Sequence, residues 1–196
     1  MSQVRIYRAA DYPRTPWKNG AGSTQEIARD AGAGLEDFGW RLSIAAIGES
    51  GAFSLFTGYQ RVISVLQGAG MQLQVDGLVS RPLQAFESFA FAGDSQVECR
   101  LLGAGIEDFN LIYAPHRYRA RLQWLTLERP QRLFSSSATL LLFSACDGLE
   151  VRLDGAAGVT LGRYDCLQVE CESGLVDMLV QAAAAGGCCL VELTPR

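Results

Sequence analysis

Apolar and polar positions alternate with a period of two along much of this chain. Met71-Gln-Leu-Gln-Val75, Val97-Glu-Cys-Arg-Leu101 and Leu149-Glu-Val-Arg-Leu153 each put their apolar residues on one face and their polar residues on the other. That is the pattern of a strand buried on one side. Turn signals interrupt these runs quickly, at Asp76-Gly77, Gly93-Asp94 and Asp154-Gly155. No amphipathic helix of three turns emerges, and 21 glycines argue against a helical bundle. The pattern predicts an all-β fold.

The pattern also repeats. Gly70-Met-Gln-Leu-Gln-Val-Asp-Gly77 recurs without a gap as Gly148-Leu-Glu-Val-Arg-Leu-Asp-Gly155, an offset of 78 residues. The same offset carries Leu83 onto Leu161, Phe86 onto Tyr164, Glu87 onto Asp165, Phe89 onto Leu167 and Phe91 onto Val169. Agreement across two consecutive strand–turn units predicts a duplicated β-barrel or sandwich. Breakers near Ala114–Arg117, at Glu128-Arg-Pro130 and at Ser135–Ser137 mark candidate boundaries. We expect one barrel over residues 1–115 and a second over 116–196, with strand exchange across the boundary.

Composition narrows the partner. Of 196 residues 48% are apolar and 19% charged, with a net charge of −4, so the chain is globular rather than disordered. The longest apolar run is four residues, as in Leu140–Phe143, against roughly 18 for a membrane helix. No apolar signal core opens the sequence, so a cytoplasmic protein with no membrane partner is expected. An acidic balance disfavours nucleic acid, leaving small solutes. Oligomeric state stays open, with a homodimer possible through exposed strand edges.

The chemistry is constrained as much by absence. Six cysteines occur, none in a Cys-x-x-Cys pair, and they read as small buried hydrophobes. The single histidine, His116, sits in Pro115-His-Arg-Tyr-Arg119 and reads as a solvated loop residue. One imidazole cannot furnish the two or three of catalytic zinc or non-haem iron sites, and Gly-x-Ser-x-Gly is missing. Neither a metal nor any other cofactor is expected.

Three segments carry candidate binding groups. Pro16-Trp17-Lys18-Asn19-Gly20-Ala21-Gly22-Ser23-Thr24 sets a cation, an amide and two hydroxyls beside glycines that permit tight turns. Trp40-Arg41-Leu42-Ser43-Ile44 aims Arg41 and Ser43 to one strand face, and Arg61 and Arg100 lie on further strands. An arginine turned into a barrel needs a carboxylate, internal or from a ligand; Glu26, Glu87, Asp94, Glu107 and Asp108 are the nearby acids. In Ile106-Glu-Asp108-Phe-Asn110-Leu111, Asp108 and Asn110 share one face of an extended segment.

Pro16-Trp-Lys-Asn-Gly20 with Thr24 and Glu26, then Trp40-Arg-Leu-Ser-Ile44, Phe53-Ser54, Arg61, Gly68-x-Gly70, Phe91-x-Gly93-Asp94 and Asp108-Phe-Asn110 together resemble the HutD/Ves family. The resemblance runs in order through about the first 110 residues. It implies a bicupin, two jelly-roll barrels in one chain, and a role in bacterial histidine utilisation. It also implies binding of an intermediate such as N-formylglutamate or urocanate to govern that pathway, in a barrel that lacks the cupin His-x-His metal motif over Arg61–Val75.

Motifs and resemblance converge on one expected ligand-binding set: Trp17, Lys18, Asn19, Thr24, Glu26, Arg41, Ser43, Arg61, Asp94, Asp108 and Asn110, and no assigned catalytic residue. A barrel lined this way favours a small carboxylate. The 78-residue offset replaces Arg61 by Thr139, so the second barrel is expected to serve packing. The leading expectation is a metal-independent carboxylate-binding protein that modulates histidine catabolism. The first alternative is a metal-independent isomerase or amide hydrolase using Glu26 or Asp108 as base and Lys18 as electrophile. The second is a scaffold presenting its cysteines and Arg117–Arg121 to a protein.

Overall fold

The computed structural model describes residues 3–17, 20–30, 37–171, 174–184 and 186–196. Contacts divide the chain into two units, Pro13–Tyr118 and Met1–Tyr12 with Arg119–Arg196. In chain order the first strands are β1 (Gln3–Tyr7), β2 (Arg14–Pro16), β3 (Gly22–Arg29), β4 (Trp40–Ile47), β5 (Gly51–Ala52) and β6 (Gln60–Gln67). Then come β7 (Met71–Val75), β8 (Leu78–Val79), β9 (Ser88–Ala92), β10 (Val97–Leu101), β11 (Ile106–Tyr113), β12 (Tyr118–Leu127) and β13 (Gln131–Ser135). The remainder are β14 (Thr139–Ser144), β15 (Leu149–Leu153), β16 (Val159–Leu161), β17 (Cys166–Glu170), β18 (Val176–Ala182) and β19 (Gly186–Pro195). Among the described residues no helix is long and apolar enough to cross a membrane.

Each unit is a pair of antiparallel sheets. In the unit Pro13–Tyr118 the sheet orders are β2-β3-β4-β11-β6-β9 and β5-β10-β7-β8. In the other they are β1-β17-β14-β19-β12 and β13-β18-β15-β16. With its larger sheet taken from the opposite end, the second unit runs β12-β19-β14-β17, matching β4-β11-β6-β9 strand for strand. The smaller sheets match without reversal. β1, from the segment assigned by sequence to the first barrel, covers the outer edge of β17 with Ile6 opposite Leu167. Edge pairing of this kind is non-local and leaves no trace in alternation.

The duplication is written into the backbone. Among the described residues four non-glycine residues have positive φ: Asp76 (49°), Phe86 (64°), Asp154 (49°) and Tyr164 (69°). They form two pairs 78 residues apart. Asp76 Oδ1 accepts from the Gln96 amide at 2.9 Å, and Asp154 Oδ1 accepts from the Asp177 amide at 3.0 Å. Each aspartate is followed by a positive-φ glycine, Gly77 or Gly155, the geometry Asp-Gly favours in tight hairpins. Glu87 Oε2 and Asp165 Oδ2 likewise accept from the amides of Gln84 and Gly162, three residues back in each case.

One strand pair breaks the offset. Arg61 and Ile63 of β6 lie opposite Phe91 and Phe89 of β9, while Leu140 and Leu142 of β14 lie opposite Val169 and Leu167 of β17. Since β9 and β17 keep the 78-residue relation, β6 and β14 are related by 79. The counterpart of Arg61 is therefore Leu140, which corrects the assignment to Thr139. Pairing to the next strand extends the comparison: Asp108 opposite Val65 and Asn110 opposite Ile63 correspond to Cys188 opposite Ser144 and Leu190 opposite Leu142. Leu140, Cys188 and Leu190 all belong to the apolar core of their barrel. Its sister has a separate core built on Ile63, Val65, Met71, Leu73 and Leu83.

Candidate functional site

Alternation along three neighbouring strands builds the floor of a cavity of about 520 Å³ in the unit Pro13–Tyr118. On β4, Arg41, Ser43, Ala45 and Ile47 face it; on β11, Asp108, Asn110 and Ile112; on β6, Arg61. Register fixes the neighbours. Ile112 lies between Arg41 and Arg61, Asn110 between Ser43 and Ile63, and Asp108 between Ala45 and Val65. A β-bulge falls on the β11–β6 pairing between Glu107 and Asp108, and another on the β3–β4 pairing between Glu26 and Ala28. Bulges commonly re-aim side chains beside a site.

The walls come from outside the sheet. Trp17 lies in the lining, with its indole Nε1 donating to Thr24 Oγ1 at 2.9 Å. The end of β5 and the segment after it add Ala52, then Phe53, Ser54 and Phe56, to the lining. The Arg61 guanidinium lies 5.3 Å from the centroids of Phe53 and Phe56 and 5.0 Å from that of Phe91. Arg41 lies 5.5 Å from Phe38 and 5.5 Å from the same Phe56. Each such cation–π contact contributes on the order of 0.5–2 kcal/mol, more where water is excluded.

These polar groups are buried and incompletely paired. Arg61 is 5% exposed, Asp108 2% and Asn110 7%. Arg61 donates from Nη1 to the Ser54 carbonyl at 3.1 Å. Arg41 Nε, Arg61 Nε, Asp108 Oδ1 and Asn110 Oδ1 are buried without a hydrogen-bond partner among the described residues. Leaving a buried polar atom unpaired costs roughly 1–3 kcal/mol, more for a charged group. All four belong to residues lining one cavity.

Burial dominates the electrostatics. It lowers the Arg61 guanidinium to about 10, opposed by the attraction of Asp108 and reinforced by repulsion from Arg41. Arg41 is also lowered by burial, with Glu26 opposing and Arg29 reinforcing. Burial pushes the Asp108 carboxyl up to about 7, against Arg61 and a hydrogen bond from the Ala45 amide. The cavity therefore combines two cations short of acceptors with one carboxyl held near neutrality.

The structure brings Trp17, Thr24, Arg41, Ser43, Arg61, Asp108 and Asn110 together at this cavity. Lys18 and Asn19 lie outside the described residues. Glu26 does not line the cavity; beside the β3 bulge it pairs with Arg29 at 3.7 Å and reaches Arg41 only through its field. Asp94 is also outside the lining, its carboxylate accepting the Gly58 amide at 3.2 and 3.3 Å in the turn that follows Phe56. Thr15, Pro16, Phe53, Ser54 and Phe56 were not among the expected residues. Pro16 and Phe53-Ser54 stood in the motif set, but nothing in the sequence marked their side of the barrel.

The other expected features have plain positions. His116 is exposed. Cys99, Cys166, Cys188 and Cys189 are buried, which removes them from any docking surface. Among the described residues no group of three His, Cys, Asp or Glu could hold a metal ion. The cavity offers one carboxyl beside two arginines, a donor set that does not fit a divalent cation.

Fold and cavity define a duplicated cupin-type jelly-roll protein with an arginine-lined cavity in one barrel. The chain belongs to the HutD family, whose model matches residues 9–190. It is 58% identical, over the whole length of both chains, to a Pseudomonas putida protein described as an uncharacterized 21.2 kDa protein in the hutC 3′ region. The solved HutD of Pseudomonas fluorescens SBW25, from a formate condition, shares 58% identity with a TM-score of 0.87, covering 99% of this chain and 100% of that one. A conserved protein of unknown function from Pseudomonas aeruginosa PAO1 superposes with a TM-score of 0.95 at 56% identity, covering 98% and 99%. The nickel(II) complex of the Escherichia coli pirin YhhW, with a TM-score of 0.69 at 11% identity, covering 99% and 100%, shares the fold alone.

Proposed function

We propose that this protein binds a small carboxylate arising in histidine degradation, such as N-formylglutamate or urocanate, in the barrel of Pro13–Tyr118 and thereby modulates that pathway. The observation that carries the reading is the set of four buried, partnerless polar atoms on Arg41, Arg61, Asp108 and Asn110 around one cavity. A ligand carboxylate supplies acceptors to the arginines, with charge-assisted bonds about twice as strong as neutral ones. The sister barrel strengthens it. The same strand scaffold there carries Leu140, Cys188 and Leu190 at the matching positions, so the polar groups are not needed to form a barrel. HutD membership and a relative in the hutC 3′ region support the pathway. Isothermal titration with urocanate, N-formylglutamate, formiminoglutamate and glutamate tests the reading. It predicts heat for at least one, weakened roughly 30-fold or more by Arg61→Ala; no heat at millimolar ligand contradicts it.

Asp108 favours one second reading, a metal-independent isomerase or amide hydrolase. A buried carboxyl pushed up to about 7, with one oxygen unpaired at a cavity, has the properties of a general acid–base group. Turnover of a pathway intermediate followed by NMR, and abolished by Asp108→Asn, would establish it.

A further inference from the structure

The chain after β5 takes a path that its counterpart in the sister barrel does not. Asp76 and Asp154 accept from the amides of Gln96 and Asp177, which makes Gln96, next to β10, the counterpart of Asp177 on β18. Glu98, opposite Ala52, therefore matches Leu179, opposite Arg132. From Arg132, β13 runs on as a strand, with Leu133, Phe134 and Ser135 opposite Met178, Asp177 and Val176. β5 stops at Ala52: the Phe53 amide still donates to the Val97 carbonyl at 2.9 Å, and the next residues belong to no strand. They turn to the cavity instead. Phe53 and Phe56 line it, the Ser54 carbonyl accepts from Arg61 Nη1 at 3.1 Å, and the Phe56 ring lies 5.3 Å from the Arg61 guanidinium and 5.5 Å from that of Arg41. Ser54, Leu55 and Thr57 are exposed, so one thickness of chain stands between solvent and an arginine that is 5% exposed. The stretch is then tied down again, the Phe56 amide donating to the Gly93 carbonyl at 2.9 Å and the Gly58 amide to Asp94.

We infer that residues 53–58 form a gate over the cavity, held shut by Arg61 and Arg41 through the Ser54 carbonyl and the Phe56 ring, and that an occupant of the cavity tightens it. The two barrels show two paths for one stretch on one scaffold, along the sheet as in β13 or across the cavity as after β5, which is what a two-position element requires. The path goes with the holder: where the stretch leaves the sheet the register position of β6 is Arg61, and where it stays on the sheet the matching position is Leu140, which has no donor to offer. A guanidinium carries five N–H groups, so an acceptor taken at the partnerless Nε atoms leaves Nη1 of Arg61 on Ser54. Fixing the two guanidiniums therefore fixes the gate with them, and the exposed Leu55 and Thr57 carry the state of the cavity to the surface. That response to an occupant rests on the carboxylate-binding reading above; the hold of the arginines on the gate does not.

Hydrogen exchange of the full chain, resolved at the hydrogen-bonded amides of Phe53, Phe56, Gly58 and Tyr59, tests both halves. Without ligand, Arg61→Leu is expected to speed exchange at Phe56 and Gly58 at least about tenfold, the scale of one lost hydrogen bond, while the amides of β7 keep their rates. Phe56→Leu, which removes the ring shared by the two guanidiniums, is expected to act in the same way at Gly58 and Tyr59. Gate rates left unchanged in both variants, or raised equally in β7, overturn the inference. With whichever of urocanate, N-formylglutamate, formiminoglutamate and glutamate gives binding heat, the wild-type gate amides are expected to slow at least about threefold. Binding heat with unaltered gate amides overturns the coupling of occupant to gate and leaves carboxylate binding intact. If none of the four gives heat, the reading beneath falls and the response to an occupant falls with it, while the hold of the arginines is decided by the two variants.

Discussion

Arg61 occupies in its barrel the register position that Leu140 occupies in the other, opposite Phe91 where Leu140 is opposite Val169. One position on one scaffold thus holds a nearly buried guanidinium in one copy and hydrocarbon in the other. A buried charge without full compensation destabilises the chain that carries it; on the function proposed above, a ligand carboxylate supplies that compensation to Arg61.

If that is correct, converting the polar cavity to its sister's residues stabilises the fold. Arg61→Leu combined with Asp108→Cys removes the buried guanidinium and the buried carboxyl together, avoiding the penalty of orphaning either. The double variant is expected to unfold in urea at or above the wild-type midpoint, with a gain of up to about 4 kcal/mol, while carboxylate binding is lost. A double variant clearly less stable than wild type would assign the pair an architectural role.

Asp108 makes stability depend on pH with a definite sign. Its carboxyl is pushed up to about 7 by burial, whereas in the unfolded chain it titrates near 4. Between about pH 4 and 7 the folded chain keeps a proton that the unfolded chain has released, so stability falls as pH rises through that window and levels off above it. Asp108→Asn removes this dependence. Urea denaturation from pH 4 to 8 should show the wild type losing on the order of 4 kcal/mol relative to the variant. Parallel curves for the two chains would mean that Asp108 is ionised throughout.

The turn at Gly93-Asp94 holds the cavity wall. The Phe56 amide donates to the Gly93 carbonyl at 2.9 Å, the Gly93 amide to the Tyr59 carbonyl at 2.7 Å, and Asp94 receives the Gly58 amide. A Cβ on Gly93 would stand 2.2 Å from the Phe56 carbonyl oxygen, so backbone must move. Gly93→Ala should displace Phe53 and Phe56 from the arginines and weaken carboxylate binding more than about tenfold, the factor that corresponds to 1.4 kcal/mol. Asp94→Ala, losing one exposed hydrogen bond, should cost about threefold to tenfold. A loss of roughly 30-fold or more at Asp94 would mark direct contact with the ligand instead.

Much of the architecture was legible because β-structure writes locally. Alternation in Met71–Val75 and Leu149–Leu153 and the Asp-Gly turns after them are properties of neighbouring residues, and they gave both the fold class and the duplication. The cavity was legible where it is built from strand faces, as with Arg41, Ser43, Asp108 and Asn110. What escaped was non-local. β6 and β14 are related by one residue more than β7 and β15, so a count at the offset of β7 and β15 lands on the opposite strand face, at Thr139 rather than Leu140. The bulge beside Glu26 breaks the simple face count, and Phe56 meets two guanidiniums from strands separated by β11, a coincidence that no spacing records.

The Nε–H groups of Arg41 and Arg61 are the two buried donors of the cavity, and they can be watched directly. In a ¹H–¹⁵N spectrum of the arginine Nε region, signals assigned through Arg41→Lys and Arg61→Lys report on the two donors that lack partners. Adding whichever of the four carboxylates gives binding heat should shift both, by saturable amounts, while the Arg100 signal on β10 stays in place. Unmoved Arg41 and Arg61 signals at a concentration where binding heat is seen would place the ligand elsewhere and rule out binding between the two arginines.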